Sequence, residues 1–241
     1  MSVLYGGDGD SRQARIHQGV KMTRTENSSG LAQLFVKAGR LIGEFPVILI
    51  PAVIPSFWAF IAPLTGLINP AAVLTAGYVG FGAGAWRLLG YLLIYVILLA
   101  LSQGATVVLV RDAAKEGSVR LSRGFAETVS RFVPLLITSL LAGLIISVAS
   151  LVFVFPGLVA AFFFWYIVQG VLIDNQTGIG ALRTSFRFAA TYAGETFALI
   201  LATLVASFAF SFIPYLGWLL MIPTTAYFAT LSTLLYLGRE T

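Results

Sequence analysis

The chain has 241 residues, of which 58% are hydrophobic and 10% are charged, and its mean hydropathy is +0.91. A soluble protein of this length cannot bury so much apolar surface, so the composition excludes a soluble enzyme and predicts a polytopic helical membrane protein. The chain has no cysteine and a single histidine, His17, which excludes disulfides, thiolate metal sites and metal sites built from several histidines.

Residues 1–30 form a polar segment rich in glycine, serine and arginine, without an apolar run. A cleavable signal peptide would need such a run. A segment this polar cannot bury enough apolar surface to fold, so it is predicted to be a disordered cytoplasmic tail. The remaining residues, 31–241, are predicted to form one transmembrane domain.

Four stretches without a charged residue follow the tail and set the number of predicted spans. A helix needs about 20 apolar residues to cross about 30 Å of hydrocarbon. The second stretch is long enough for one span. The third and fourth are each long enough for two, with turns at Pro156-Gly157 and at 214–217. The stretches are Phe45–Trp86, Leu88–Val110, Phe132–Ile173 and Thr196–Gly238.

The first stretch has two halves of different composition. Residues 46–68 are apolar, carry four prolines and form the predicted first span. Prolines within a span free backbone carbonyls and kink the helix, and broken helices of this kind can line a binding site. Residues 69–86 are rich in glycine and leave three alternatives: an outer loop, a re-entrant segment or a seventh span.

The distribution of basic residues favours six spans. In membrane proteins, cytoplasmic loops carry the excess of lysine and arginine. With six spans both termini are cytoplasmic, and every lysine and arginine except Arg87 lies on that side, whereas seven spans would divide them about evenly. The predicted fold is therefore all-α, a polytopic protein of the cell membrane with six transmembrane helices in three hairpins.

A short segment with apolar residues at helical spacing, opposite basic residues, precedes each predicted hairpin. Cytoplasmic amphipathic helices of this kind suit the membrane surface, where arginine and lysine meet anionic lipid headgroups. The pattern predicts three repeats, over 31–110, 118–173 and 179–238. The three apolar stripes consist of Leu31, Leu34, Phe35, Ala38, Leu41 and Ile42, of Leu121, Phe125, Val129 and Phe132, and of Ile179, Leu182, Phe186 and Ala190.

Gln103 and Gln169 are the strongest polar residues inside the predicted spans. Each carboxamide has two interpretations: a hydrogen bond to a neighbouring helix, or a place in the lining of a polar cavity. No acid or base lies deep in any predicted span. This argues against a proton-coupled transporter, a pump or a voltage sensor, but leaves a passive pore or a carrier open.

Charged and polar residues gather at the cytoplasmic ends of the second and fourth predicted spans. Asp112, Asp174 and Asn175 are predicted to cap the helices that follow or to form ion pairs with arginine. The alternative is a basic cluster that binds lipid phosphate or an anionic partner. That cluster consists of Arg111, Arg120, Arg183 and Arg187.

The sequence contains none of the common sets of catalytic residues. It offers no Ser/His/Asp set, no pair of intramembrane carboxylates and no zinc-protease motif, and His17 lies in the polar tail. We therefore expect no catalytic residues, no metal site and no cofactor, and a protein that is not an enzyme.

A looser pattern combines a Pro-Gly hairpin, an apolar span that ends in an acid, and an Ala-Leu-x-x-Ser amphipathic helix. It resembles the six-span membrane domain associated with glycerophosphodiester phosphodiesterases and with related uncharacterised prokaryotic membrane proteins. The resemblance covers roughly residues 120–238 and implies a six-helix membrane domain. It carries no phosphodiesterase activity over, because the sequence contains no phosphodiesterase domain. The matching residues are Pro156, Gly157, Asp174, Ala181, Leu182 and Ser185.

Three functions fit these expectations. The first is a non-enzymatic component of a larger transport or secretion assembly, whose partners are other membrane subunits or further copies of the chain. The second is a stand-alone channel or carrier for a neutral or apolar solute, with Gln103, Gln169 and the proline-rich first span along the path. The third is a role in nucleic-acid translocation, since a basic inner face attracts phosphates. A positive inner face is common among membrane proteins, so it supports the third function little.

Overall fold

The computed structural model describes residues 30–64, 83–213 and 216–238, and every regular element in these ranges is helical. Contacts divide the chain into two units, residues 1–37 and 38–241. In the first unit the described residues, 30–37, are part of a helix. The predicted disordered tail and most of the glycine-rich segment 69–86 lie outside the described residues.

Helices follow one another with short connections over most of the described chain. One 3-10 turn, Pro46–Leu49, precedes α2, and residues 164–166 interrupt the helical path between α6 and α7. The helices are α1 (Gly30–Glu44), α2 (Ile50–Leu64), α3 (Ala83–Glu116), α4 (Leu121–Ser130), α5 (Phe132–Val152), α6 (Val154–Phe163), α7 (Ile167–Leu172), α8 (Ile179–Thr191), α9 (Ala193–Ser211) and α10 (Leu216–Leu237).

Several of these segments are compatible with a multi-pass membrane protein. Among the described residues, five are long and apolar enough to cross a membrane. The number rises to six if the bent pair Gly30–Glu44 and Pro46–Ile61 is counted as one span. The five segments are Trp86–Glu116, Phe132–Leu151, Val154–Leu172, Ala193–Ser211 and Leu219–Leu237.

The chain bends by 100° at Phe45, between α1 and the segment Pro46–Ile61. A residue that precedes proline is disfavoured in the helical region, so α1 ends here. Pro46 and Pro51 stand at the starts of the 3-10 turn and of α2, where a missing N–H costs no helical hydrogen bond. Pro55 lies inside α2 and removes the donor for the carbonyl four residues before it.

α3 extends beyond Val110, where the charge-free stretch of the predicted second span ends. The helix continues through the charged residues 111–116 to a length of 34 residues. This corresponds to about 51 Å at 1.5 Å per residue, well beyond the hydrocarbon thickness. The extra turns are covered by α4, which folds back along them.

Glycine permits the close approach of α3 and α4. A Cβ atom at Gly104 would overlap the side chain of Thr128, and a Cβ atom at Gly124 would lie 2.9 Å from Leu109. Thr128 is fully buried, and its hydroxyl donates to the carbonyl of Gly124 at 2.8 Å. The two glycines therefore set the distance between these helices.

α5 and α6 meet at Phe153, whose backbone is extended, with φ −157° and ψ 152°. The turn was predicted at Pro156-Gly157, and that position was wrong. Pro156 lies in the first turn of α6, where proline is tolerated. Gly157 packs directly against Ser150 across the hairpin, where a larger side chain would force the two helices apart.

Ser185 of α8 bridges the interruption between α6 and α7. Its hydroxyl donates to the carbonyl of Phe163 at 2.8 Å and accepts from the backbone N–H of Tyr166 at 3.1 Å. These two bonds satisfy backbone groups at the helix ends, which would otherwise be buried without partners.

The contact between Ser185 and the interruption at residues 164–166 determines which face of α8 is buried within the protein. Of the apolar stripe predicted for this helix, Leu182 is buried, whereas Ile179 and Phe186 are exposed. The buried face contains Ala181 and Ser185 instead, because a small side chain and a hydroxyl fit against the backbone of α6 and α7. The predicted stripe was expected to face the lipid boundary, so its place at the membrane surface stays a prediction.

The best-packed region lies where the second half of α3 meets α7, α8 and the end of α10. The outward surfaces of α5 and α9 expose large apolar side chains, among them Leu140 and Phe208, as expected for helices in contact with lipid. Fully or almost fully buried residues of the packed region include Ala105, Val107, Val108, Leu109, Val110, Val171, Leu172, Ala181, Leu231 and Tyr236.

Candidate functional site

A cavity of about 280 Å³ lies between α2, α3, α7, α9 and α10. None of the described residues that line it is an aspartate, glutamate, lysine, arginine or histidine. The lining is mostly apolar, but hydroxyl and carboxamide groups are set into it at several positions. These polar and aromatic lining residues are Ser56, Tyr95, Ser102, Gln103, Thr106, Trp165, Gln169, Thr203, Thr225, Phe228 and Ser232.

Two helices supply most of this wall at regular spacing. On α3, Tyr95, Ser102 and Thr106 line the cavity at intervals of seven and four residues, which places them on one helical face. On α10, Thr225 and Ser232 flank Ala229, again at intervals of four and three residues. The small side chains on α10 leave the space that the cavity occupies.

Gln169 is a buried polar residue of the cavity wall, and its side chain has one hydrogen-bonding atom without a partner in the described structure. Its side-chain Nε2 donates to the hydroxyl of Ser232 at 3.1 Å, and the residue is 4% exposed. The hydroxyl of Ser232 in turn donates to the carbonyl of Ala229 at 3.0 Å. Because the hydroxyl hydrogen of Ser232 bonds to Ala229, the carboxamide of Gln169 is assigned with its nitrogen toward Ser232.

The carboxamide oxygen of Gln169 is left without a hydrogen-bond partner within the described structure. A buried amide oxygen with no partner costs about 1–3 kcal/mol. Such a cost is offset when water or a ligand supplies the missing donor. The oxygen therefore marks the position in the cavity wall where a bound molecule would gain most.

The sequence left two roles open for each glutamine, a hydrogen bond to a neighbouring helix or a place in the lining of a cavity, and the two residues differ in this respect. Gln169 both bonds to a neighbouring helix, through Ser232 of α10, and lines the cavity. Gln103 lines the same cavity from α3 and is exposed. The proline-rich α2 reaches the wall through Pro55. The structure thus brings together all three features that the sequence placed along a solute path.

A network of charged side chains joins α3 to α4 beyond the cavity. Arg111 holds Glu127 with two hydrogen bonds, of 2.6 Å to Oε1 and 2.8 Å to Oε2. It also donates to Oδ1 of Asp112 at 2.9 Å. Arg123 lies 3.5 Å from the other carboxylate oxygen of Asp112 and 2.7 Å from Glu116. The network fastens α4 to the last turns of α3.

Burial makes the ion pairs of this network important for the stability of the α3–α4 contact. The side chain of Asp112 is 3% exposed, so its charge depends on the two arginines for compensation. The hydrogen bonds from Arg111, the largest cause, lower the pKa of Glu127 below its ordinary value, against the opposing effect of burial. The ionised form of Glu127 is therefore the one that stabilises the α3–α4 contact.

Arg111 is committed to this network and does not belong to a basic cluster at the surface. Its side chain is 17% exposed and is bonded to both Asp112 and Glu127. Arg120, Arg183 and Arg187 are exposed, and the described structure contains no ion pair for them. The predicted cluster of four arginines is thus corrected to three candidates.

The predicted helix caps are not formed. α4 begins after Arg120 and α8 begins after Gly178, and neither start has a side-chain cap. Asp112 forms ion pairs instead, and Asp174 accepts a hydrogen bond of 2.6 Å from the hydroxyl of Tyr236. Asn175 is exposed in the turn before α8 and has a positive φ of 58°, a conformation that asparagine tolerates better than most residues.

Ser232 and Tyr95 also belong to the wall and were not predicted from the sequence. The signal for Ser232 was available, since Thr225, Ala229 and Ser232 recur at helical spacing within a stretch free of charge. Tyr95 carried no comparable signal, because a tyrosine in a span is equally typical of packing or of the membrane surface.

Comparison with protein-family models, with curated proteins and with solved structures found no match for this chain. The resemblance to the membrane domain associated with phosphodiesterases therefore stays a prediction. The residues that carry it hold helices together: Gly157 packs on Ser150, Asp174 bonds Tyr236, and Ser185 bridges α6 and α7.

Replacing Glu127 by glutamine tests the charge network. Because the pKa of Glu127 is lowered in the folded protein, its carboxylate stabilises the fold above the unfolded-state pKa. That contribution is lost as the pH falls through the folded-state pKa. We expect Glu127→Gln to cost about 2 kcal/mol at neutral pH, and the difference in apparent Tm from the wild type to vanish in acid.

The matched control is Glu116→Gln, which breaks the more exposed pair with Arg123 and should lower the apparent Tm less. Melting curves of the detergent-solubilised protein across a pH series provide the measurement. Equal losses for the two variants, or a pH profile unchanged by Glu127→Gln, would contradict the assignment.

Proposed function

We propose that the chain is a multi-pass protein of the cell membrane that binds a small neutral polar solute in the cavity and conducts it across the bilayer. The observation that carries the proposal is an uncharged cavity whose mostly apolar wall contains hydroxyl and carboxamide groups, among helices whose outward side chains are apolar. A polar space at membrane depth is tolerated where it holds water or a ligand. The absence of charged groups from the described lining favours an uncharged solute.

A topology of six crossings in three hairpins suits this proposal. The turn Pro46–Leu49 and α2 together rise about 30 Å, at 2.0 and 1.5 Å per residue, which is enough for the first crossing. The five longer segments supply the others. The positive-inside rule then places both termini, and the ion-paired end of α3, in the cytoplasm. In this arrangement α1, α4 and α8 lie at the inner membrane surface.

The depth of the cavity follows from the positions of its wall residues on α3. Tyr95 and Thr106 precede Arg111 by about 24 Å and about 8 Å of helix, at 1.5 Å per residue. With about 30 Å of hydrocarbon, the cavity thus extends from the outer half of the bilayer, past its middle, toward its inner side. Between it and the charged network, residues 107–110 are buried and close the inner end. This arrangement suits a carrier or a gated channel better than an open pore.

The other proposed roles are supported less directly. Exposed leucine and phenylalanine on the outer helices suit partner subunits and lipid equally well, so a place in a larger assembly stays a prediction. Nucleic-acid translocation loses support because Arg111, one of four proposed basic contacts, is held in an internal network.

A bulky residue in the cavity tests the solute path. Ala229 lines the cavity on α10, so Ala229→Trp should fill the space and abolish passage of glycerol into proteoliposomes, measured by light scattering after an osmotic step. Leu140→Trp is the control, because Leu140 is 74% exposed on α5. Glycerol entry at wild-type rate with Ala229→Trp, in protein that elutes normally in gel filtration, would refute the proposal.

We also propose that Arg183 and Arg187 contact anionic lipid headgroups at the inner surface. They lie four residues apart on α8, exposed beside the apolar side chain of Phe186. Charges in this position contribute about 1 kcal/mol each near an anionic leaflet. Arg120 is exposed at the same predicted surface.

The lipid contact is tested by thermal stability in mixed micelles. Phosphatidylglycerol should raise the apparent Tm of the wild type more than phosphatidylcholine does, and the double variant Arg183→Gln/Arg187→Gln should lose that difference. Arg87→Gln, at the predicted outer end of α3, should keep it. The same lipid response in all three proteins would rule the contact out.

A further inference from the structure

Five serine and threonine hydroxyls in the cavity wall share one hydrogen-bonding state. Each of the five donates its hydrogen to a backbone carbonyl of its own helix, a pattern that serine and threonine adopt in apolar surroundings. A hydroxyl that has donated its hydrogen can still accept, so it presents only acceptor capacity to the space beside it. The bonds are Ser56 to Ala52 (2.9 Å), Thr106 to Ser102 (2.9 Å), Thr203 to Leu199 (2.7 Å), Thr225 to Ile222 (2.9 Å) and Ser232 to Ala229 (3.0 Å).

Gln169 extends this acceptor character to the buried wall. Its nitrogen is used by Ser232, and its oxygen has no partner in the described structure. The hydrogen on Ser232 goes to Ala229, which assigns the bond between Gln169 and Ser232 to the carboxamide nitrogen. The group that remains for a bound molecule is therefore an acceptor too.

We infer that the solute is a neutral molecule rich in hydrogen-bond donors, such as a short polyol or a urea-like amide, and that the carboxamide oxygen of Gln169 accepts from it. This inference rests on the proposed function and specifies its substrate class. A solute with acceptors alone has no hydrogen to donate, so it would leave the oxygens of Ser56, Thr106 and Thr203 without hydrogen bonds from the solute. Anions are disfavoured for the same reason.

Gln103 and Tyr95 complete the recognition. A carboxamide and a phenol can each donate as well as accept, and both line the cavity. A polyol matches such a wall, because every hydroxyl of the solute donates to the acceptor-rich face while its oxygen accepts from one of these two groups. No described lining residue carries the carboxylate that would favour a cation over a neutral donor.

Two probes of low lipid permeability separate recognition from passage. Glycerol has three O–H donors, whereas trimethylamine N-oxide is neutral overall and has none. In proteoliposomes of the full chain, glycerol entry should exceed that of trimethylamine N-oxide by about tenfold or more after subtraction of protein-free vesicles, because a site built to bond a donor rejects a molecule without one. Equal protein-dependent entry of both would overturn the inference and leave the proposed function standing. Entry of neither above background would overturn the proposed function itself.

Variants identify the accepting atom. Gln169→Leu should reduce the preference for glycerol about tenfold, because it removes the free oxygen. Thr230→Val is the matched control. Thr230 is buried on α10 and bonded to its own helix at Ala226, as the wall hydroxyls are, but it does not line the cavity. An unchanged preference in folded Gln169→Leu would refute the role of this residue.

Discussion

A polar group inside the hydrocarbon of a bilayer has no water to bond, so it must find its partner within the protein. In the proposed arrangement, this constraint accounts for most of the polar contacts in the helices. Serine and threonine side chains bond to carbonyls one turn earlier, as Thr106 and Thr203 do. Ser185 satisfies both sides of the interruption between α6 and α7. Among the described residues, the indole nitrogen of Trp58 and the carboxamide oxygen of Gln169 are exceptions, and the oxygen of Gln169 lies in the wall of the cavity.

The charged residues at the end of α3 likewise find their partners within the protein. The helix is too long for the hydrocarbon alone, and its last turns carry Arg111 and Asp112 into contact with α4. Gly104 and Gly124 let the two helices approach closely enough for Arg111 to reach Glu127. The resulting seal has a packed apolar layer on the cavity side and a charge network beyond it. In a carrier, this seal is the part that would have to open.

Much of the architecture could be predicted from the sequence, because long charge-free stretches leave few alternatives to membrane-spanning helices. Gln169 stood out for the same reason, as a polar residue in a region that was otherwise apolar. Its partner did not, because Ser232 is 63 residues away in the chain and the contact depends on how α7 and α10 pack. Tertiary packing also determined which face of α8 is buried within the protein, because the bond between Ser185 and the interruption depends on a contact that apolar spacing does not indicate. The turn at Phe153 was displaced because proline at the third position of a helix does not end it.

The central claim is that α3 crosses the membrane with its ion-paired end in the cytoplasm. The chain contains no cysteine, so single cysteines can be placed at Arg87 and at Ser118, which are exposed on either side of the proposed crossing. Intact cells are treated with a membrane-impermeant maleimide, before and after permeabilisation. The account predicts that Arg87→Cys is labelled in intact cells, and that Ser118→Cys is labelled after permeabilisation alone. Labelling of Ser118→Cys in intact cells, with Arg87→Cys protected, would contradict it.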